Sequence, residues 1–413
     1  MSSIVRDARK RIKEVRQKDV EVLVLKDGKP VPNAKVAFRM KKHQFLFGAH
    51  CYNYGKYPTE AENERYTELF TDLLNYTFAP FHWGGYEPER HVYNEPYVGN
   101  LVRWSNKHEI KIKLHALIWH EVCPKWLKFD DDVGEIYRDR ISRLMIEYAD
   151  QFDFFDLVNE TVVNYRFDNP VSRWIDKMGP INVMKWASGI VRSFKPDAKL
   201  IYGEWNVHID AYTDLLREMR DADVDIDYLG VQSHMHSYRW TFEEVLSATN
   251  RAAAFGWPLQ FPELSICSGK PARPIRFTAG AKNEWVTNEG DFESQAEYAE
   301  DLYTVLFSHP AVEALSWFDF ADGYWLNAPS GLVSKTLDKK PVYNTLHNLI
   351  KKEWFSNEDE VTGSEGWCRS RLFTGNYDIT IDVNGETTTV NEDILRESFY
   401  SGWGEPGRIV IKL

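Results

Sequence analysis

From residue 45 to about residue 350 the chain switches repeatedly between two hydrophobic rhythms. Runs that are apolar almost throughout occupy 45–49, 75–79, 111–119, 154–158, 199–202, 228–232, 258–263 and 314–318. Short apolar runs bounded by polar residues are the pattern of strands buried on both faces. Between them, 60–74, 133–149, 182–192, 212–222, 242–254 and 294–307 carry apolar residues at helical spacing. Eight such alternations over about 300 residues predict a (β/α)8 TIM barrel, in the α/β class. An open doubly wound sheet is the alternative. No G-x-G-x-x-G follows the first strand, so a dinucleotide site has no support.

The flanks read differently. Residues 4–17 predict a short, charged surface helix. Residues 20–38 alternate apolar and polar around Asp27-Gly28-Lys29-Pro30, which predicts a hairpin. After Lys351 strand alternation returns, clearest in 377–383, and Asn384-Gly385 follows it as a hairpin turn. Residues 409–413 predict a last strand. Neither flank has enough strands to be stable alone. They are expected to join in a small accessory β-module, with 1–43 and 355–413 flanking a barrel over 44–354.

Composition narrows the classes. The 413 residues are 43% hydrophobic, which is enough for a large core. A net charge of -12 with no basic stripe argues against a nucleic-acid partner. No run of 18 apolar residues exists, so no membrane span is expected. The N-terminus lacks the apolar core of a signal peptide, consistent with a cytoplasmic protein or with the mature form of a secreted one. Cys51, Cys123, Cys267 and Cys368 are far apart and form no C-x-x-C pair, so free thiols are expected. Aromatics make up 14%, including 15 Trp and 21 Tyr, rings that suit the apolar faces of sugars as well as cores.

In a barrel of this kind the reactive groups sit at the C-terminal strand ends. Here those ends are His115 through His120, Asn159-Glu160, Glu204-Trp205-Asn206, Gln232-Ser233-His234, Glu263, and Trp317-Phe318-Asp319. Two glutamates closing two strands suit glycosidic hydrolysis. One carboxyl delivers a proton to the leaving oxygen, and the other attacks, or activates water, on the opposite face. The first must be held neutral near pH 7 and the second ionised. His234 and Gln232 are candidate donors to Glu263, Asn159 a candidate holder of a sugar hydroxyl, and Trp317 and Trp325 candidate sugar platforms. A metal site is the competing chemistry: His234-x-His236 places two imidazoles on one strand face, with His115, His120 and His208 as further ligands. No acidic ligand at a matching spacing accompanies them. A non-catalytic sugar-binding barrel is the alternative from another class, and a pair of strand-end carboxylates is more than binding requires.

These segments resemble glycoside hydrolase family 10, the endo-β-1,4-xylanase family. The resemblance is carried by His115-Ala-Leu-Ile-Trp-His120, Phe155-Asp-Leu-Val-Asn-Glu160, Tyr202-Gly-Glu-Trp-Asn206, Gly230-Val-Gln-Ser-His234, Pro262-Glu263-Leu264, and Trp317 through Trp325. Gly331-Leu-Val and Lys340-Pro-Val-Tyr343 add to it. It implies a retaining mechanism with Glu160 as acid/base and Glu263 as nucleophile, their carboxyls about 5–5.5 Å apart. It places His115, Trp119, Asn159, Asn206, Gln232, His234, Trp317 and Trp325 around the sugar, implies a xylan or xylooligosaccharide substrate, and calls for no metal and no cofactor. Two departures stand out. After the second strand the family usually carries Glu-Asn-Glu-Met-Lys, which grips the next sugar on the non-reducing side. This chain has Phe78-Ala79-Pro80-Phe81-His82, with His82 as a candidate sugar contact. The family often has Asp two residues after the nucleophile, and here Ser265 stands there. The first departure leaves another β-linked plant glycan as the runner-up substrate.

Overall fold

The protein is described by a computed structural model over residues 2–277, 281–396 and 407–413. Two compact units divide the chain. One comprises Phe47–Gln295 with Ala314–Lys340, the other Met1–Leu46, Ala296–Glu313 and Pro341–Leu413.

The barrel follows from its apolar runs. Its eight parallel strands are Leu46–Ala49, Tyr76–Pro80, Lys111–His115, Phe154–Asn159, Lys199–Glu204, Tyr228–Val231, Leu259–Ile266 and Val312–Trp317. Each pairs with its neighbours in sequence, and the eighth pairs with the first to close the ring. Phe154–Asn159 and Leu259–Ile266 are buried along their whole length. Inside the ring, alternate strands contribute one layer: Tyr76 meets Phe154 edge-on at 5.6 Å, and Phe154 meets Tyr228 at 5.6 Å. The Tyr76 hydroxyl donates to Gln260 Oε1 at 3.0 Å, which satisfies its polar tip inside the core.

The sequence pattern and the fold differ at three places in this unit. Helix Glu95–Lys107 has no clear periodic signal, because Gly99 and polar residues interrupt its spacing, yet it buries Val98, Leu101 and Val102. Where one helix over 182–192 is expected, Pro170–Met178 and Pro180–Phe194 stand in succession, each with proline in its first turn. The expected strand 111–119 is interrupted: a cis peptide joins His115 and Ala116, and pairing resumes at Ile118–Trp119.

In the other unit, helix Ser3–Arg16 is charged but not merely superficial. Val5, Ala8 and Ile12 are buried, and so is Arg16. The Arg16 guanidinium donates to the carbonyls of Phe307 at 2.5 Å, His309 at 2.8 Å and Val312 at 2.7 Å. It also lies over the Phe45 and Phe307 rings at 4.6 and 4.9 Å. Phe307 stacks on Trp354 at 4.2 Å. These contacts explain why Ala296–Glu313 and the segment from Pro341 onward group with the terminal strands, so the units divide elsewhere than at 43/44 and 354/355. The expected 20–38 hairpin is corrected. Gln17–Lys26 turns at Asp27-Gly28 only onto Lys29–Pro30, and Lys35–His43 lies in a second sheet. In the first sheet Gln17–Lys26 pairs antiparallel with Trp367–Phe373 and parallel with Gly407–Lys412. In the second, Lys35–His43 lies between Asn357–Val361 and Gly375–Val383. Asn384 and Gly385, at φ 54° and 91°, make the turn into Glu386–Ile394. No described helix is long and apolar enough to cross a membrane.

Candidate active site

Glu160 is the first residue beyond the fourth strand, and its backbone is left-handed, with φ 62° and ψ 39°. A side-chain-bearing residue adopts this region at a cost of about 1–2 kcal/mol. The turn is held by the Glu160 N–H donating to Gly203 O at 2.8 Å. The carboxyl is buried, only 5% of the residue being exposed, and three donors meet it. Asn159 Nδ2 and Gln232 Nε2 both donate to Oε1 at 3.0 Å, and Trp119 Nε1 donates to Oε2 at 3.1 Å. Oε1 therefore has both acceptor directions occupied, and Oε2 is the oxygen with room for a proton. Burial, then the charges of Glu204, Glu263 and Glu121, push the Glu160 carboxyl well above the ordinary range.

Glu263 lies on the seventh strand and is also 5% exposed. Its Oε2 is 2.8 Å from His234 Nε2, and His234 Nδ1 is 2.9 Å from Ser265 Oγ. The imidazole bridges the two side chains, with Nε2 toward the carboxyl and Nδ1 toward the serine hydroxyl. Ser265 thus orients His234 without adding a charge.

Around this pair, His115 Nδ1 is hydrogen-bonded to Asp156, whose carboxylate also pairs with Lys113 Nζ at 2.7 Å in the barrel interior. Burial alone would raise the Asp156 pKa, but the Lys113 charge and the His115 bond hold it below the ordinary value. The His82 ring lies 5.1 Å from His115 and 5.0 Å from Trp119. Burial, followed by the charges of His115 and Arg140, lowers the His82 pKa to about 3, so it is a neutral imidazole. Trp325 is half-buried at 6.3 Å from His234.

Asn159 depends on a missing side chain. A Cβ at Gly203 would lie 2.4 Å from Asn159 Oδ1. Gly203→Ala is expected to displace Asn159 from Glu160, lower kcat/KM by about tenfold or more, and cost about 1–3 kcal/mol of stability. Steady-state rates and melting curves check this, and a variant with wild-type kcat/KM would show that Asn159 does not depend on the gap.

The structure thus brings together Glu160, Glu263, Asn159, Gln232, His234, Trp119, His115 and His82, with Trp325 alongside. One expectation is corrected. Trp317 is fully buried and its indole N–H donates to Ser330 O at 2.6 Å, so it is a core residue and not a sugar platform. The ring on the mouth side is Phe318, 4.7 Å from His234 and 5.6 Å from Trp325. At Asn206 the main-chain N–H donates to Glu204 Oε1 at 3.1 Å, and among the described residues no hydrogen bond carries its side chain to Glu160 or Glu263. The metal alternative fares no better geometrically. His208 packs on Trp240 at 4.4 Å and His120 on Phe167 at 5.0 Å. Among the described residues no three His, Cys, Asp or Glu are grouped to hold an ion.

Two acids gain their weight only in the structure. Glu204 is fully buried and accepts from the N–H groups of Val162, Trp205 and Asn206 at 3.0–3.1 Å and from the Tyr202 hydroxyl at 3.2 Å. Burial pushes its pKa to about 7 against those donors, and its charge is the largest electrostatic cause of the raised pKa at Glu160. Asp319 accepts from Ser330 Oγ at 2.7 Å and Trp325 N at 3.3 Å, while its Oδ1 is unpartnered. Burial pushes Asp319 from 3.8 to about 7. A carboxyl raised by folding stabilises the native state below its unfolded pKa, and that contribution fades as pH rises toward the folded value. Asp319→Asn keeps an acceptor and removes the titration. It is expected to flatten the fall in stability between about pH 4 and pH 7 by up to about 4 kcal/mol, each tenfold change in proton affinity being worth about 1.4 kcal/mol. Denaturant unfolding at stepped pH checks it, and parallel curves for variant and wild type would reject it.

Comparison with known proteins adds to this geometry. Residues 40–349 match the family described as glycosyl hydrolase family 10. The endo-1,4-beta-xylanase B of Thermotoga neapolitana is 24% identical over 293 residues, covering 66% of this chain and 78% of that protein. The native xylanase 10B of Thermotoga maritima superposes with a TM-score of 0.62 at 19% identity, over 75% of this chain and 96% of its own. Xylanase 10B of Thermotoga petrophila RKU-1, solved in complex with xylobiose, superposes at 0.61 and 19% identity, over 75% of this chain and 95% of its own. At such identity the structures speak for the shared fold.

Proposed function

The chain belongs to glycosyl hydrolase family 10, and from that premise we propose that it cleaves β-1,4-linked xylan or xylooligosaccharides with retention of configuration, using Glu160 and Glu263. The observation that carries this reading is the asymmetry of the two buried carboxyls. Glu160 has a raised pKa and a free proton position at Oε2, while Glu263 is held by His234 Nε2.

In the first step a Glu263 oxygen attacks the anomeric carbon as Glu160 Oε2 protonates the departing glycosidic oxygen, leaving a glycosyl ester on Glu263. Esterification removes the Glu263 charge, which is among the causes of the raised Glu160 pKa. The Glu160 pKa then falls, and the same carboxylate takes a proton from the water that cleaves the ester. Trp119, Asn159 and Gln232 hold Glu160 in place through both steps, and Trp325 offers a ring face beside His234.

The second strand supports the runner-up substrate, another β-linked plant glycan. Its end and the following turn present buried Phe81, Trp83 and Tyr86 in place of the acidic and basic groups common in the family. The test is hydrolysis of xylan, other β-linked polysaccharides and aryl β-glycosides, with the first-formed anomer followed by proton NMR. Xylan cleavage releasing the β-anomer is expected. Cleavage of other β-glycans alone moves the substrate, and α-anomer release rules out the retaining roles.

A further inference from the structure

The loops that leave the seventh and eighth strands line an open pocket of about 570 Å³ that contains none of the groups discussed so far as catalytic. That volume lies in the range of small-molecule sites. Its walls are tied across the two loops. Trp285 Nε1 donates to Leu326 O at 3.1 Å and Asn327 Nδ2 to Asn283 O at 3.0 Å, while within the first loop Thr287 Oγ1 donates to Ser268 O at 2.8 Å.

The charges are unevenly answered. Asp322 is paired with Lys340 Nζ at 2.9 Å and also accepts from Gly331 N at 2.7 Å. Lys335 bonds a neutral acceptor instead, with Nζ 2.9 Å from Asn327 Oδ1. Its stem crosses Gly323, at φ +90°, where a Cβ would meet Lys335 Cε at 2.2 Å. The bare glycine lets the stem of the exposed Lys335 lie flat against the backbone. One of the ammonium's three N–H donors is used, and two remain. Lys282 also lines the pocket, and among the described residues no carboxylate lies within ion-pair distance of either ammonium, although the Lys335 charge acts on Asp322. Glu284 is the remaining charged group of the lining, and it is exposed.

We propose that this pocket binds a carboxylate-bearing sugar, such as a uronic acid unit, with Lys282 and Lys335 on the carboxylate and Trp285, Asn327 and Thr287 along the ring. A charge-assisted bond from a held ammonium recognises the anion. The half-buried Trp285 indole packs against Cys267, Leu326 and Ala328 with its N–H occupied, and the part of the ring left exposed is the apolar surface it offers a sugar. Without such a local pair of cations, a chain of net charge -12 would repel an acidic ligand. The site lies beside the proposed catalytic pair, because the loop that carries Asn327 also carries Trp325. That proximity is the part resting on the function proposed above.

The experiment is titration calorimetry of the full chain with methyl glucuronide, methyl glucoside and acetate, repeated on a Lys282→Ala/Lys335→Met variant. The methionine keeps the stem over Gly323. Glucuronide binding weakened at least ~10-fold in the variant, and weakened by salt, is expected. Equal binding of methyl glucoside, or of acetate, would overturn the ligand class. Unchanged glucuronide binding in the variant would overturn the site. Neither result depends on turnover, so a failure of xylan hydrolysis remains separate from a failure of this pocket.

Discussion

Replacing Glu263 with alanine lowers kcat on the order of 10⁴-fold or more and leaves substrate binding nearly intact. In the proposed mechanism the side chain is the attacking group, and its removal takes away one of the charges that, with Glu204 and Glu121, raise the Glu160 pKa. The variant therefore folds, and its Glu160 pKa drops. The space vacated admits a small anion. Azide is expected to restore turnover of an activated aryl β-glycoside and to give the α-glycosyl azide, because it attacks from the face Glu263 occupied. Rates within tenfold of wild type, or a β-azide, would remove Glu263 from the nucleophile role.

Glu160→Gln has the next largest effect, and its size depends on the leaving group. Glycans whose departing oxygen needs a proton slow by about 10²–10⁴-fold. Dinitrophenyl glycosides, which leave unaided, keep their first step and lose the base-assisted second one, so a burst of phenolate precedes a slow steady state. The pH profile changes with a definite sign. The wild-type acid works protonated, so activity falls as pH rises through the raised Glu160 pKa, and in the glutamine variant this alkaline limb disappears. Stability moves the same way. The native state holds the Glu160 proton more tightly than the unfolded chain, so wild type loses stability as pH climbs above the usual carboxylate range. Glutamine is exempt, and its stability relative to wild type improves with pH. An alkaline limb that persists unchanged assigns the titration to another group.

The barrel was legible because its strands are buried on both faces and so are apolar almost throughout, a signal that needs no knowledge of partners. Phe154–Asn159 shows this best, with every residue buried. Glu160 and Glu263 were legible as carboxylates at strand ends. What escaped depended on direction or distance. Trp317 and Phe318 are adjacent, and which of them faces the mouth is set by strand register, where one residue changes the face. Glu204 was visible as a letter beside Asn206. Its role rests on burial and on main-chain donors from Val162, two residues past Glu160, a proximity only the closed ring creates. The 20–38 hairpin failed because local alternation cannot tell a strand that returns from one that crosses to another sheet. The pocket beyond the seventh and eighth strands left no periodic trace, since its groups come from loops.

The strand Gln17–Lys26 has a consequence for how the molecule is made. Its partners lie far along the chain: Asp19 receives Arg369, 350 positions later, and Val22 pairs with Cys368 and Ile409. A ribosome emitting about 5–20 residues per second leaves Val20, Val22 and Val24 without a sheet for tens of seconds. Loop-closure entropy grows only slowly with such separations, so the finished sheet is little weakened by it. The exposure falls on the nascent state, where an unpaired apolar edge is open to foreign strands. Glu21 between the valines, with Lys18, Asp19 and Lys26 flanking them, supplies charge along that edge while it waits. Neutralising them is expected to matter more for yield during synthesis than for the melting temperature of the folded protein.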